Sequence, residues 1–233
     1  MNIDYGFPVE LIRTDRTKSA SIQLDGNIVK VVVPKTLSLE RVDALIQKRS
    51  AWIKEKLEKQ RTELPVKAKE YVSGEVFQYL GRNYRLKRTT EPSRGVKMKA
   101  GYLCVSVGES LSNELIGASI KMLLEGWYKD HAAIKLKEKT LRYAAILGLK
   151  PTTIKVRDYK ARWGSCSSLG GISYNWRIIM APHSIVDYVV VHELCHMVEH
   201  NHSAKYWRHV ENLIADYKLR REWLKFNGEG LIV

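Results

Sequence analysis

Residues 189–202 read VVVHELCHMVEHNH, and His192-Glu193-Leu194-Cys195-His196 at the centre form an HExxH pattern. Upstream, Ile185, Val186, Val189 and Val190 recur at helical spacing with Leu194. The stretch therefore predicts an amphipathic helix that starts near Pro182 and lies half-buried on a core. On such a helix, positions i and i+4 are about 40° apart around the axis and about 6 Å apart along it, so two imidazoles can converge on one ion. Glu193 falls beside that pair and not on it, where a general base for a metal-activated water belongs. Two solvated histidines on a surface helix are the weaker reading, because burying two histidines and a glutamate without a partner is costly.

A mononuclear hydrolytic zinc site needs a third protein ligand and an open position for water. Glu199, His200, His202 and Glu211 are the candidates within reach along the chain. If the helix continues, the Cα of His200 lies about 12 Å from that of His192, with the ion nearly in line between them. His202 suits the geometry better. It follows an expected helix break at Asn201 and precedes Ser203, a candidate N-cap, so the chain can fold back and present it. Glu211, on the next helix, is a further option. Cys195 projects off the histidine face and reads as a small, buried, inert thiol. Three imidazoles favour zinc, one per chain, although such sites also accept cobalt, nickel or manganese.

Immediately upstream, Thr153–Tyr159 predicts a strand, and Gly170-Gly171 marks a turn into a second one, Ile172–Trp176. A hairpin here would offer an edge to which an extended peptide can pair. Arg162, Trp163, Gly164 and Ser165 are candidate substrate-binding residues, with Gly164 permitting close backbone approach. Trp163 and Trp176 as core aromatics, with Ser165 in a turn, is the competing reading. Arg162 and Tyr206 are candidate oxyanion donors.

Farther out, Val9–Ile12, Ala20–Leu24 and Asn27–Val33 read as strands, with Asp25-Gly26 as a type I′ turn. An amphipathic helix follows through Val42, Leu45, Ile46, Arg49, Trp52, Ile53 and Leu57, then a linker over Thr62–Lys69. Phe77–Leu80, Tyr84–Arg88, Val96–Lys99 and Tyr102–Val107 suggest a second antiparallel set. A long helix from about Asn113 to Leu147 is closed by Gly148 and Pro151. A last helix begins after Ser203 and runs through Tyr206, Val210, Ile214 and Leu219. The fold class is α+β. Residues 1–112 form a β-rich N-terminal region of antiparallel strands with one amphipathic helix, and residues 113–233 form the catalytic domain.

Composition bounds what this assembly can be. The 233-residue chain is 45% hydrophobic and 27% charged, which excludes a collagen-like, low-complexity or wholly disordered protein. Three cysteines without a CxxC pair indicate free thiols in a reducing compartment, and no signal-like or membrane-spanning apolar run is present. A cytoplasmic protein with no membrane partner is expected. The net charge is +14, divided as +7 before and +7 after residue 115, so it is not loaded onto one tail. Such an excess attracts polyanions. Residues 82–99 hold seven basic residues and one acid. This run suits a nucleic-acid patch, but a solvated hairpin face is the commoner origin.

The ordered segments RDYKARWGSC (157–166), GGISYNWRIIMAP (170–182) and VVVHELCHMVEHNHSAKYW (189–207) resemble the YgjP-like predicted metal-dependent hydrolases. These are relatives of the WLM and SprT-like minimal zinc metallopeptidases. The resemblance is strong over about residues 120–225 and loose over the first 110. It implies a third histidine after five further residues, a spacing that His202 meets. It also implies a minimal zincin fold, with a small sheet above an HExxH helix. The expected activity is zinc-dependent hydrolysis of peptides, with Glu193 as base. Hydrolysis of a phosphoanhydride in a nucleotide is one alternative, and a protease recruited to DNA by its basic surface is another.

Overall fold

Three valines at alternate positions, Val29, Val31 and Val33, are fully buried on one face of a strand, β3 (Ile28–Pro34). β1 (Val9–Thr14) and β2 (Ser21–Asp25) flank it in the order β1-β3-β2. This is a computed structural model that describes residues 5–16, 20–25, 28–62, 68–89, 95–107 and 113–233. It divides into two units, residues 1–67 and 68–233. The anticipated boundary at residue 112 lies outside the described residues.

In the first unit β2 pairs antiparallel with β3, in a register that sets Asp25 opposite Ile28. Gly26 of the expected turn lies outside the described residues. β1 pairs with β3 in parallel, Val9 opposite Val29, so this sheet is mixed and not wholly antiparallel. The hairpin leaves one edge of β3 open, and β1 pairs there. Helix α1 (Leu39–Thr62) covers the valine face with Val42, Ile46, Ile53 and Leu57, all buried. Trp52, expected on that stripe, is 40% exposed.

The second unit opens with two hairpins. β4 (Val76–Tyr79) pairs antiparallel with β5 (Arg82–Thr89), and β6 (Gly95–Lys99) with β7 (Tyr102–Ser106). Their two-residue turns, Leu80-Gly81 and Ala100-Gly101, have all four φ angles positive, as a type I′ turn requires. β5 and β7 join the hairpins in parallel, giving a mixed sheet ordered β4-β5-β7-β6. Leu86 is buried while Arg85 and Lys87 on either side are exposed, so the described part of the basic run is a solvated strand face. Residues 90–94 of that run lie outside the described residues.

Helix α2 (Asn113–Leu147) buries Ile120, Leu124, Tyr128, Leu136 and Ala144 along one stripe. It ends at Gly148, whose φ of 66° suits glycine, while the Leu149 amide bonds back to the Ala144 carbonyl. A third sheet follows: β8 (Thr153–Arg157), β9 (Gly164–Cys166) and β10 (Gly171–Asn175), ordered β8-β10-β9. The two strands expected to form a hairpin, here β8 and β10, instead pair in parallel, and the antiparallel partner of β10 is the short strand β9, because the long loop after β8 lets the chain cross over before it turns back at Gly170-Gly171. A 3-10 turn at Trp176–Met180 then leads to α3 (His183–Cys195). The β4–β5 turn anchors this entry. Leu80 and Gly81 donate amides to the Ile179 and Met180 carbonyls, and a Cβ on Gly81 would sit 2.8 Å from the Pro182 Cα.

Two boundaries differ from expectation. α3 stops at Cys195 and not near Asn201, because amides of Met197, Val198 and Glu199 fold back onto Leu194 and Cys195 carbonyls in a tightened last turn. The final helix is two, α4 (Ala204–Leu213) and α5 (Tyr217–Asn227). Ile214 leaves helical geometry at φ −140°, ψ 87° and buries its side chain in the core, and Asp216 pairs with Arg220 in the next turn. Among the described residues, no helix is long and apolar enough to cross a membrane.

Candidate metal centre and active site

His192 and His196 project from the last turn of α3 with ring centroids 5.0 Å apart. Because the helix ends at Cys195, the chain turns back and brings His202 within 5.1 Å of the first ring and 4.7 Å of the second. One ring nitrogen from each of the three lies within 4.8 Å of the others. The early helix end also removes the in-line problem posed by His200: neither it nor Glu199 nor Glu211 joins the cluster. The Glu199 carbonyl instead meets His196 Nδ1 at 3.2 Å.

The return of the chain is fixed locally. Asn201 Oδ1 accepts the Ser203 amide at 3.1 Å, and Ser203 Oγ caps α4 by accepting the Tyr206 amide at 3.2 Å. Tyr206 is fully buried, and its hydroxyl donates to the His192 carbonyl at 2.9 Å while its ring stacks on His196 at 4.5 Å. In this structure the Tyr206 hydroxyl is engaged by a backbone carbonyl of α3. Trp207 stacks on His202 and, on its other side, on Tyr217. Trp207 was not legible as a site residue, although it stands one turn beyond the Ser203 cap.

The donor set fits a metal ion. Burial, then the neighbouring imidazoles, push His192 down to about 3, and burial also lowers His196, so both rings present neutral nitrogens. His192 Nε2 faces His202 Nε2 at 3.2 Å, and His192 Nδ1 is buried without a hydrogen-bond partner among the described residues. Three convergent imidazoles match the ligand chemistry of zinc-class ions.

Glu193 is 5% exposed and shares a cavity wall with His192. Burial raises its carboxyl to about 8, with the Arg162 guanidinium acting in the opposite direction. Its neighbour is Gly164 of β9, where a Cβ would stand 2.5 Å from Glu193 Oε1 and 2.6 Å from Cγ. The close approach expected of Gly164 is therefore to the glutamate itself. Among the described residues β9 is an edge strand beside α3, paired only through β10. Ser165 is tied to the Tyr159 hydroxyl at 3.0 Å, behind that edge. Cys195 is fully buried, and burial drives its thiol up to about 12, as befits an inert side chain.

A cavity of about 330 Å³ opens over His192 and Glu193, walled by Arg162, Trp163, Gly164, Tyr188, Val189, Arg221, Leu224 and Lys225. A larger one of about 840 Å³ adjoins it and shares Arg162, Trp163, Leu224 and Lys225. Trp163 is thus a half-buried cleft wall, whereas Trp176 is 1% exposed and belongs to the core. Arg221, from α5, is a cleft residue that local sequence patterns did not single out.

If Tyr206 positions the His192 turn, Tyr206→Phe should keep the metal but bind it about tenfold more weakly. Competition with a chromogenic chelator would measure this, and unchanged affinity would assign the residue to packing alone.

The chain matches the YgjP-like metallopeptidase domain over residues 18–227. No curated protein matches it. Among solved structures, the crystal structure of the metallopeptidase zymogen of Pyrococcus abyssi abylysin is 22% identical, covering 39% of this chain and 93% of that one, at a TM-score of 0.36. The family match extends over both structural units and contains every histidine of the cluster; this chain belongs to the YgjP-like family and carries its metallopeptidase domain.

Proposed function

We propose that this protein is a zinc-dependent peptidase in which His192, His196 and His202 hold one ion and Glu193 is the general base. The observation that carries the reading is the convergence of three imidazoles next to a buried glutamate, with His192 and Glu193 lining an open cleft. When bound, the ion supplies Lewis acidity, which makes water more acidic and polarises the scissile carbonyl. Glu193 takes the proton from the attacking water and delivers it to the leaving amine. Gly164 leaves room for the carboxylate to do so against the β9 backbone. The free edge of β9 holds the substrate as an added extended strand. Arg162 and the walls around it are available to orient the substrate, and Tyr206 and Trp207 fix the imidazoles from behind.

The test is cleavage of an unstructured protein such as casein by zinc-loaded protein, followed by mass spectrometry of the products. Discrete new peptides that disappear in Glu193→Gln support the reading. Release of phosphate or pyrophosphate from nucleotides, with no peptide cleaved, would replace it with phosphoanhydride hydrolysis.

A further inference from the structure

Three cations line the small cavity over His192 and Glu193: Arg162 from the loop before β9, and Arg221 and Lys225 from α5. None of them has a carboxylate partner among the described residues. Other cations nearby are paired: Arg177 with Asp158, Arg220 with Asp216, Lys205 with Glu199. The unpaired guanidinium groups instead rest on aromatic faces, Arg162 over Tyr159 at 5.5 Å and Arg221 over Trp207 at 5.1 Å. A guanidinium held against a ring keeps its donor edge free and loses little entropy on meeting an acid. Among the described residues, the only acidic one lining this cavity is Glu193.

Resting on the peptidase reading, we infer that Arg162, Arg221 and Lys225 form a carboxylate-binding subsite, so that the preferred substrate carries an acidic group beside the scissile bond. The apolar walls, Trp163, Val189 and Leu224, fit the methylene stem of a glutamate, and forked guanidinium groups match its planar head. A cavity of about 330 Å³ admits one side chain or a chain end but no duplex, so a single acidic group of a peptide suits it. The carboxylate is that of an acidic side chain or of a peptide C-terminus.

Isothermal titration calorimetry with zinc-loaded, full-length Glu193→Gln protein, which binds without turning over, separates these. The probes are acetylated hexapeptide amides that differ only in one Glu or Gln, and a neutral hexapeptide with a free C-terminal carboxylate or an amide. An acid should bind about tenfold tighter than its amide counterpart, more so at low salt, and whichever pair discriminates identifies the source of the carboxylate. Arg162→Gln and Arg221→Gln, each made in the same background, should remove most of that difference, while Arg221→Lys should keep part of it. Equal binding of acid and amide in both pairs overturns the inference, as does a preference that survives both arginine substitutions. Acid-selective binding by a protein whose wild type cleaves no peptide would keep the subsite and remove the peptidase reading. Cleavage without acid preference would do the reverse.

Discussion

Glu193→Gln should lower kcat for peptide hydrolysis about 10³-fold or more while leaving the bound metal in place. General-base catalysis by a positioned carboxylate contributes on the order of 10²–10⁴. The substitution keeps the size of the side chain, so the packing against Gly164 is preserved and the loss reports proton transfer alone. No imidazole of the cluster is touched. Steady-state kinetics on one fluorogenic peptide, alongside metal content of the same preparations, checks both halves. Activity within a few-fold of wild type would require another base, and activity lost together with the metal would make the residue structural.

The second large effect comes from a single methyl group. In Gly164→Ala the new Cβ would stand 2.5 Å from Glu193 Oε1 and 2.6 Å from its Cγ, and real Cβ contacts are never that short. Either the carboxylate swings away from the cleft or β9 withdraws from α3. Both displace the base from the substrate edge, and a misplacement of about 1 Å costs on the order of 10²-fold in rate. Because the strain lies between β9 and the glutamate, the expected result is a fall in kcat with metal stoichiometry unchanged. The double variant with Glu193→Ala removes the clash and should recover any stability lost in Gly164→Ala, without recovering activity. Thermal melts of the two proteins read the first point. Full activity in Gly164→Ala would show that the glutamate need not occupy the place seen here.

What could be read from the sequence was local. The i, i+4 spacing of His192 and His196 and the Ser203 cap express short-range geometry, and each has its counterpart in the structure, whereas the partner that Gly164 approaches, Glu193, lies on another element and was not legible. The strand runs were also legible, but their partners were not. The parallel pairings β1–β3 and β5–β7 join segments with a hairpin strand between them, and side-chain alternation carries no information on which edge is taken. The early end of α3 was hidden because neither glycine nor proline marks it. The break at Ile214 was hidden because an apolar residue in helical register leaves the helix to fill the core. That break separates α4 from α5, and α5 brings Arg221 and Lys225 over the site. That the Tyr206 hydroxyl meets the His192 carbonyl was not legible, since the direction a hydroxyl takes is set by tertiary packing.

The central claim is that one ion is held by His192, His196 and His202, and elemental mass spectrometry tests it most directly. Purified wild type and Glu193→Gln should each carry about one zinc per chain, and His192→Ala, His196→Ala and His202→Ala should each carry almost none after excess metal is removed. Full zinc in His202→Ala, or a wild type that retains no metal after reconstitution, would contradict the account.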